Sequence, residues 1–260
     1  MKQVKTITAW LLAITMSFGI LYTPALAAES SLKSTKTAAT YISQAFQQSG
    51  NTIVVPKEYL IDATGRWTAI EMATQAYQEA FRQSASMFAA DKVMVQDYGH
   101  EIVMSRTPLI DSQEEKAMTR ATAAVAKKIL SEIIRPGMDE MQKASAIFAY
   151  ISENTEYDMN TYHAVLSGNW KSDPDAIASM NAYGCLVSRK AVCSGYVQAF
   201  NLLAREAGLS STAKTGAIGG ISHAWNQVLI NNHWYTVDCT LEMFFASEAE
   251  YFSMVALRII

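Results

Sequence analysis

The stretch SHAWNQVLINNHWYTVDCT, residues 222–240, contains two runs of alternating apolar and polar residues on either side of Asn231 and Asn232. Asparagine tolerates a positive φ, so an Asn-Asn pair suits the two-residue turn of a tight β-hairpin. With this pair as the loop, Trp225 lies directly opposite Asp238. The stretch therefore predicts an antiparallel hairpin.

His223 and Asp238 lie on the same face of this predicted hairpin, because side chains in a strand repeat every two residues. They are diagonal neighbours, roughly 7–8 Å apart at the backbone, a gap that an imidazole and a carboxylate can close with a hydrogen bond. A loop with an even number of residues keeps the two side chains on one face, and a loop with an odd number places them on opposite faces. The alternative is a packed core histidine and an aspartate that belongs to the turn or the ladder.

Upstream, KAVCSGYVQAF, residues 190–200, places Cys193 at or just before the start of a helix. An apolar stripe that includes Val197 and Phe200 indicates the helix, and Gly208 is its expected glycine cap. Free N–H groups and the positive dipole end at a helix N-terminus favour a thiolate and can donate to an oxyanion. Taken alone, the segment fits a packed thiol, half of a disulfide or a nucleophile, and it favours the first.

Three neighbours of these residues are candidates for a substrate cleft. Gly195 would let another chain or a substrate come close, and Tyr196 could form a wall of the cleft. Trp225 follows His223 on the same strand face, and it either packs the sheet or lines an acyl-binding groove.

A cysteine acyl-transfer site has three parts: a cysteine at a helix start, a histidine, and a carboxylate that orients the histidine. In this hypothesis Cys193 attacks a carbonyl as the thiolate. His223 takes the thiol proton and later gives it to the leaving amine. Asp238 fixes the tautomer of the imidazole and stabilises its charged form.

The motifs resemble the transglutaminase-like superfamily, specifically its exported bacterial branch. The matches are AVCSGYVQAFNLLAREAGL around Cys193, SHAWNQVLI around His223 and HWYTVDCT around Asp238, in that order. The helix KASAIFAYISENTEYD and the stretch AYGCLVSRKAVCSGY upstream also look like this branch. The resemblance covers about residues 113–240.

This resemblance implies an α+β fold in which the cysteine-bearing helix packs on an antiparallel sheet that carries the histidine and the aspartate. It also implies a cysteine enzyme that performs acyl transfer or hydrolysis on protein or peptide amide bonds through a thioester. The alternative is a non-enzymatic surface or cell-wall-associated binding module that retains the fold. After Asp238 the chain has Cys-Thr-Leu-Glu instead of the common Thr-Trp pair, followed by a short segment, and this departure favours the alternative.

Three cysteines are present, and two of them are not part of the candidate site. In an exported protein a disulfide between Cys185 and Cys239 would leave Cys193 as the free thiol. Two separate buried thiols are the other interpretation. The cysteines and histidines lack the spacing of a metal site, so we expect no metal and no cofactor.

The N-terminus has the order of a secretory signal peptide over residues 1–27: Lys2 and Lys5, an apolar run, and small residues that end at Ala27. We therefore expect cleavage after Ala27 and a secreted or cell-surface protein. No later stretch is long and apolar enough for a membrane span. Residues 28–112 form a predicted N-terminal α/β region, mainly helical and of unknown role, and residues 113–260 form the transglutaminase-like domain.

The charge of the chain limits which classes of partner are expected. The formal net charge is −3, which gives no electrostatic case for nucleic acid or an anionic membrane. The expected partners are a protein or peptide substrate and, for a surface protein, cell-wall or surface components.

Overall fold

The computed structural model describes residues 5–7, 25–62, 65–218, 220–245 and 247–258 of the 260-residue chain. The predicted signal peptide therefore falls largely outside the described residues and stays a prediction. No helix among the described residues combines the length and the apolar character needed to cross a membrane.

The chain divides into two compact units. The first comprises Met1–Phe81 and Ala89–Ser112, and the second comprises Arg82–Phe88 and Gln113–Ile260. The longer segment of the second unit begins at Gln113, and the unit also includes the short segment Arg82–Phe88 from the range of the predicted N-terminal region.

The N-terminal unit contains a four-stranded antiparallel sheet as well as helices, so "mainly helical" describes it incompletely. The sheet order is β1-β3-β4-β2. The hairpin β3–β4 turns at Gly99, which has a φ of 94°. Glycine adopts this φ without strain, whereas other residues do not. The elements are β1 (Lys5–Ile7), α1 (Ala25–Ser49), β2 (Thr52–Pro56), α2 (Ala69–Gln83), β3 (Ala90–Asp97) and β4 (Glu101–Pro108).

The C-terminal unit begins with helices and ends with a sheet and a final helix. Its helices are α3 (Ser112–Ile133), α4 (Glu140–Asn154), α5 (Met159–Ser167), α6 (Pro174–Ser179), α7 (Cys193–Glu206) and α8 (Glu248–Arg258). Its strands are β5 (Glu156–Tyr157), β6 (Lys190–Ala191), β7 (Ser210–Ile218), β8 (Ile221–Ile230), β9 (His233–Asp238) and β10 (Met243–Phe245). Strands β7 to β10 form an antiparallel sheet in the order β10-β9-β8-β7, which confirms the predicted α+β fold.

The predicted hairpin is present as β8 and β9. Ile230 pairs with His233, and the two loop asparagines have positive φ values of 49° at Asn231 and 62° at Asn232. Two consecutive residues of this kind form the turn whose twist matches that of the flanking strands. The loop therefore has the even length that keeps His223 and Asp238 on one face.

Helix α7 packs on this sheet through its apolar stripe. Its buried side chains include Phe200 and Leu203, which share a core with Val228 and Ile230 of β8 and Val237 of β9. The cysteine-bearing end of the helix is thereby fixed relative to the strands that carry the histidine and the aspartate.

The sequence of residues 160–184 predicts a mixed, loop-rich segment, whereas the structure shows the two short helices α5 and α6 there. Asp158 caps α5 by accepting from the Thr161 N–H, and Asp173 caps α6. Pro174 occupies the first turn of α6, where its fixed φ favours a helix and its missing N–H costs nothing.

Candidate active site

Cys193 is the first residue of helix α7. The preceding residue, Val192, has an extended backbone and no side-chain hydrogen bond that caps the helix. The thiol is partly exposed and packs beside Val197, Ala213 and Ala224. This position leaves the sulfur next to the positive end of a fourteen-residue helix, where negative charge is stabilised.

Gly195 allows the start of this helix to pack against the protein's own backbone. A Cβ at this position would lie 2.5 Å from the carbonyl oxygen of Ser179 and 2.9 Å from that of Asn181. We had expected the glycine to admit another chain or a substrate. The close neighbours are Ser179, the last residue of α6, and Asn181 in the loop that follows it, so Gly195 sets the position of the cysteine.

A buried hydrogen-bond network holds that loop in place. The Asn181 Nδ2 donates to the Gln198 Oε1 at 2.9 Å and to the Met87 carbonyl at 3.1 Å. The Ala182 N–H donates to the same Gln198 oxygen. The loop is therefore tied both to α7 and to the Arg82–Phe88 segment.

His223 and Asp238 form a direct hydrogen bond, with 2.7 Å between Nε2 and Oδ2. Both side chains are buried, and Asp238 is only 1% exposed. Its Oδ1 accepts from the backbone N–H groups of Thr240 and Leu241, and its Oδ2 also accepts from the Tyr251 hydroxyl at 2.8 Å. Four donors therefore converge on one carboxylate, which fixes its orientation and supports its charge.

The pKa of His223 is raised from 6.5 to about 10. Burial on its own would lower this pKa, but the hydrogen bond to Asp238, the hydrogen bond to Cys193 and the negative charge on both partners outweigh it. Because Asp238 occupies Nε2, the other ring nitrogen, Nδ1, is left for Cys193. The imidazole is thus placed between the thiol and the carboxylate, and it keeps its proton at neutral pH.

Residues 127–239 match the sequence model of the transglutaminase-like superfamily. The matched range contains Cys193 and His223 and ends one residue after Asp238. The chain carries a transglutaminase-like domain.

Two solved structures resemble the chain at low sequence identity. One is a TGase, with 17% identity and a TM-score of 0.39 over 60% of this chain and 45% of the other. The second is a candidate cysteine protease from Cytophaga hutchinsonii, with 16% identity and a TM-score of 0.35 over 56% of this chain and 54% of the other. The alignments thus span about half the length of each structure. No curated protein matches the chain.

Trp225 and Tyr196 are packed in the core of the transglutaminase-like domain. Trp225 is 2% exposed and stacks on the His223 ring, with 6.2 Å between centroids and 22° between planes. Tyr196 is 4% exposed, and its hydroxyl donates to the Thr155 carbonyl at 2.7 Å. Their substrate-binding role stays a prediction. Large amphipathic rings fit a cleft and a core equally well in a sequence, and here both are in the core.

Cys185 and Cys239 are free and buried in the structure, which corresponds to the interpretation of two separate buried thiols and not to a disulfide between them. Burial raises the pKa of Cys185 to about 12 and that of Cys239 well above its ordinary value. Both thiols are therefore protonated at neutral pH. This leaves Cys193 as the one partly exposed thiol of the three.

Tyr251 is a site residue that the sequence reasoning missed. It lies on α8, is completely buried and contacts Asp238 directly. The segment 247–258 carries no motif, and only its acidic start and its spaced apolar residues indicate a helix. Nothing in that pattern shows that the helix packs over the carboxylate.

Proposed function

We propose that the transglutaminase-like domain is a cysteine enzyme that performs acyl transfer or hydrolysis on protein or peptide amide bonds. The observation that carries this proposal is the position of the His223 imidazole between the Cys193 thiol and the Asp238 carboxylate. This is the arrangement that a nucleophile, its base and the group that orients the base require.

In the first half of the reaction, the Cys193 Sγ attacks the carbonyl carbon of the substrate amide. The oxygen that becomes negative accepts hydrogen bonds from N–H groups in the first turn of α7. The C–N bond then breaks, and His223 transfers its proton to the leaving amine. The products are a free amine and a thioester on Cys193.

In the second half, an amine or a water molecule attacks the thioester carbon. His223 takes a proton from this nucleophile, the C–S bond breaks, and the thiolate of Cys193 is restored. An amine gives a new amide and water gives an acid. The residues that act are the same in both cases, so the reaction depends on which nucleophile reaches the thioester.

The hydrogen bonds of Asp238 support an enzyme over a binding module. The short segment after Asp238 had favoured the binding module. It forms strand β10 and helix α8, and the helix supplies the Tyr251 hydroxyl to the carboxylate. A protein that only binds has no need for a buried, fully hydrogen-bonded aspartate behind a histidine.

Export is part of the same proposal and is supported by the basic residues, the apolar run and the small residues of positions 1–27. An exported enzyme of this kind would act on proteins or peptides at the cell surface, with cell-wall or surface components as its partners. The intact mass of protein recovered from the culture medium tests this point. Mature chains that begin at Ala28 support export, and a cell-retained chain that begins at Met1 contradicts it.

The reaction is tested with glutamine-containing peptides and a labelled primary amine. We expect the wild-type protein to attach the label to the peptide or, if water is the acceptor, to release ammonia without attachment. Cys193→Ala should do neither. The matched control is Cys185→Ala, which removes a buried thiol and should keep the activity. A wild-type protein that is inactive in both assays, yet binds the peptides as well as Cys193→Ala does, would favour the binding module.

A further inference from the structure

The Oδ2 atom of Asp238 accepts two hydrogen bonds, one from the ring of His223 at 2.7 Å and one from the hydroxyl of Tyr251 at 2.8 Å. The carboxylate is 1% exposed, so water has little access to replace either donor. The two oxygens of Asp238 therefore depend on fixed groups of the protein for their hydrogen bonds. Tyr251 is the one side chain besides His223 that the described residues place on Oδ2.

The hydroxyl of Tyr251 acts as a donor to this oxygen. Burial and the nearby Asp238 charge raise the pKa of Tyr251, so the hydroxyl keeps its proton. A neutral donor orients the carboxylate without cancelling its charge, and this charge supports the imidazolium of His223.

Helix α8 is held over the site by an apolar cluster. Trp225, Met243, Tyr251 and Val255 are all buried and pack together. The ring of Trp225 is 5.4 Å from that of Tyr251, and its other contacts include the His223 ring at 6.2 Å. The same helix thus reaches Asp238 directly and His223 through one intervening ring.

We propose that α8 completes the active site and that Tyr251 is its positioning residue, which holds Asp238 in the orientation that accepts the hydrogen bond from the His223 Nε2–H. This inference rests on the proposed function, because it assigns Tyr251 to the same site. It adds a residue outside the matched range 127–239, on a helix that no family motif identifies.

The test compares Tyr251→Phe with the wild-type protein by proton NMR of the His223 Nε2–H. The substitution keeps the ring and its packing against Trp225 and removes the hydrogen bond alone. With one donor fewer, Oδ2 accepts a stronger hydrogen bond from the imidazole N–H. We therefore expect the His223 Nε2–H resonance to move to lower field. We also expect the less restrained carboxylate to slow alkylation of Cys193 about tenfold, the effect of losing a hydrogen bond to a charged group.

Tyr196→Phe is the matched control, because its hydroxyl is also buried in the domain but donates to a backbone carbonyl. It should lose a hydrogen bond and some thermal stability, while the His223 resonance and the alkylation rate stay at their wild-type values. An unchanged resonance and rate in Tyr251→Phe would overturn the positioning role.

The two proposals fail in different ways. A wild-type Cys193 no more reactive than a free thiol, together with a shifted resonance in Tyr251→Phe, would reject the enzyme and keep the Tyr251–Asp238–His223 connection. A reactive wild-type Cys193 with an unchanged resonance in Tyr251→Phe would reject the role of Tyr251 alone.

Discussion

Asp238→Asn is expected to lower the pKa of His223 from about 10 to its ordinary value of 6.5 or below. Burial lowers this pKa, and Asp238 supplies the strongest opposing contribution through its hydrogen bond and its charge. An asparagine of the same shape removes the charge. The measurement is an NMR titration of the His223 ring in both proteins.

The substitution also disturbs the other hydrogen bonds of the site. The two carboxylate oxygens accept from His223, Tyr251, Thr240 and Leu241. An amide has one oxygen, and its NH₂ group would face two of these donors. We expect a loss of about 3–5 kcal/mol in the free energy of unfolding, as for the removal of one partner of a buried ion pair.

The destabilisation should depend on pH in a defined direction. His223 has a higher pKa folded than unfolded, so its pairing stabilises the protein fully below its unfolded pKa of about 6.5. This contribution is lost as the pH rises through the folded pKa of about 10. The difference in stability between the wild type and Asp238→Asn should therefore be larger near pH 6 than near pH 10.

Asp173→Asn is the matched control for this experiment. Asp173 is exposed and caps α6 through a single oxygen, Oδ1, that accepts from the N–H groups of Asp175 and Ala176. Asparagine caps a helix about as well as aspartate does, so the change should be small. A His223 titration that is the same in Asp238→Asn and the wild type would contradict the pairing.

Gly195→Ala is expected to destabilise the protein by about 3 kcal/mol, at the upper end for an overpacked site. The new Cβ would lie 2.5 Å from the Ser179 carbonyl oxygen and 2.9 Å from the Ala191 Cβ. The loop has little freedom to move, because Asn181 is bonded to Gln198 and to the Met87 carbonyl. Thermal denaturation measures the effect, with an expected fall in Tm of about 6–12 °C.

Intrinsic helix propensity predicts the opposite sign for this substitution, since alanine is favoured over glycine by about 1 kcal/mol inside a helix. A loss of stability is therefore specific to the close contact. Ser194→Ala on the same turn is the control, because its buried Oγ has no hydrogen-bond partner among the described residues and its removal should be nearly neutral. If Gly195→Ala were as stable as the wild type, the close contact would not be what positions Cys193.

The hairpin could be predicted because its determinants are local. Two asparagines that accept positive φ specify the turn, and the period of two then fixes which side chains share a face. The His223–Asp238 pair followed from counting alone. The helix that begins at Cys193 and ends near Gly208 could be predicted for the same reason, because its apolar stripe and its cap lie within sixteen residues of sequence.

The remaining parts of the site depend on contacts that are distant in the sequence. Tyr251 lies 13 residues after Asp238, on a helix whose docking position no local pattern specifies. The backbone that contacts Gly195 belongs to the end of α6 and the loop after it, and no local pattern around Gly195 identifies this contact. Burial of Trp225 and Tyr196 depends in the same way on what packs over them, so the sequence could not show that both rings are buried.

The rate of alkylation of Cys193 by iodoacetamide at pH 7 tests the central claim most directly, because it requires no substrate. In the wild-type protein we expect Cys193 to react faster than a free thiol, and Cys185 and Cys239 to stay unmodified until the protein is unfolded. His223→Ala should slow the reaction of Cys193 about tenfold or more, since a lone thiol is only a few per cent ionised at this pH. A Cys193 that reacts like a free thiol and is indifferent to His223 would contradict the account.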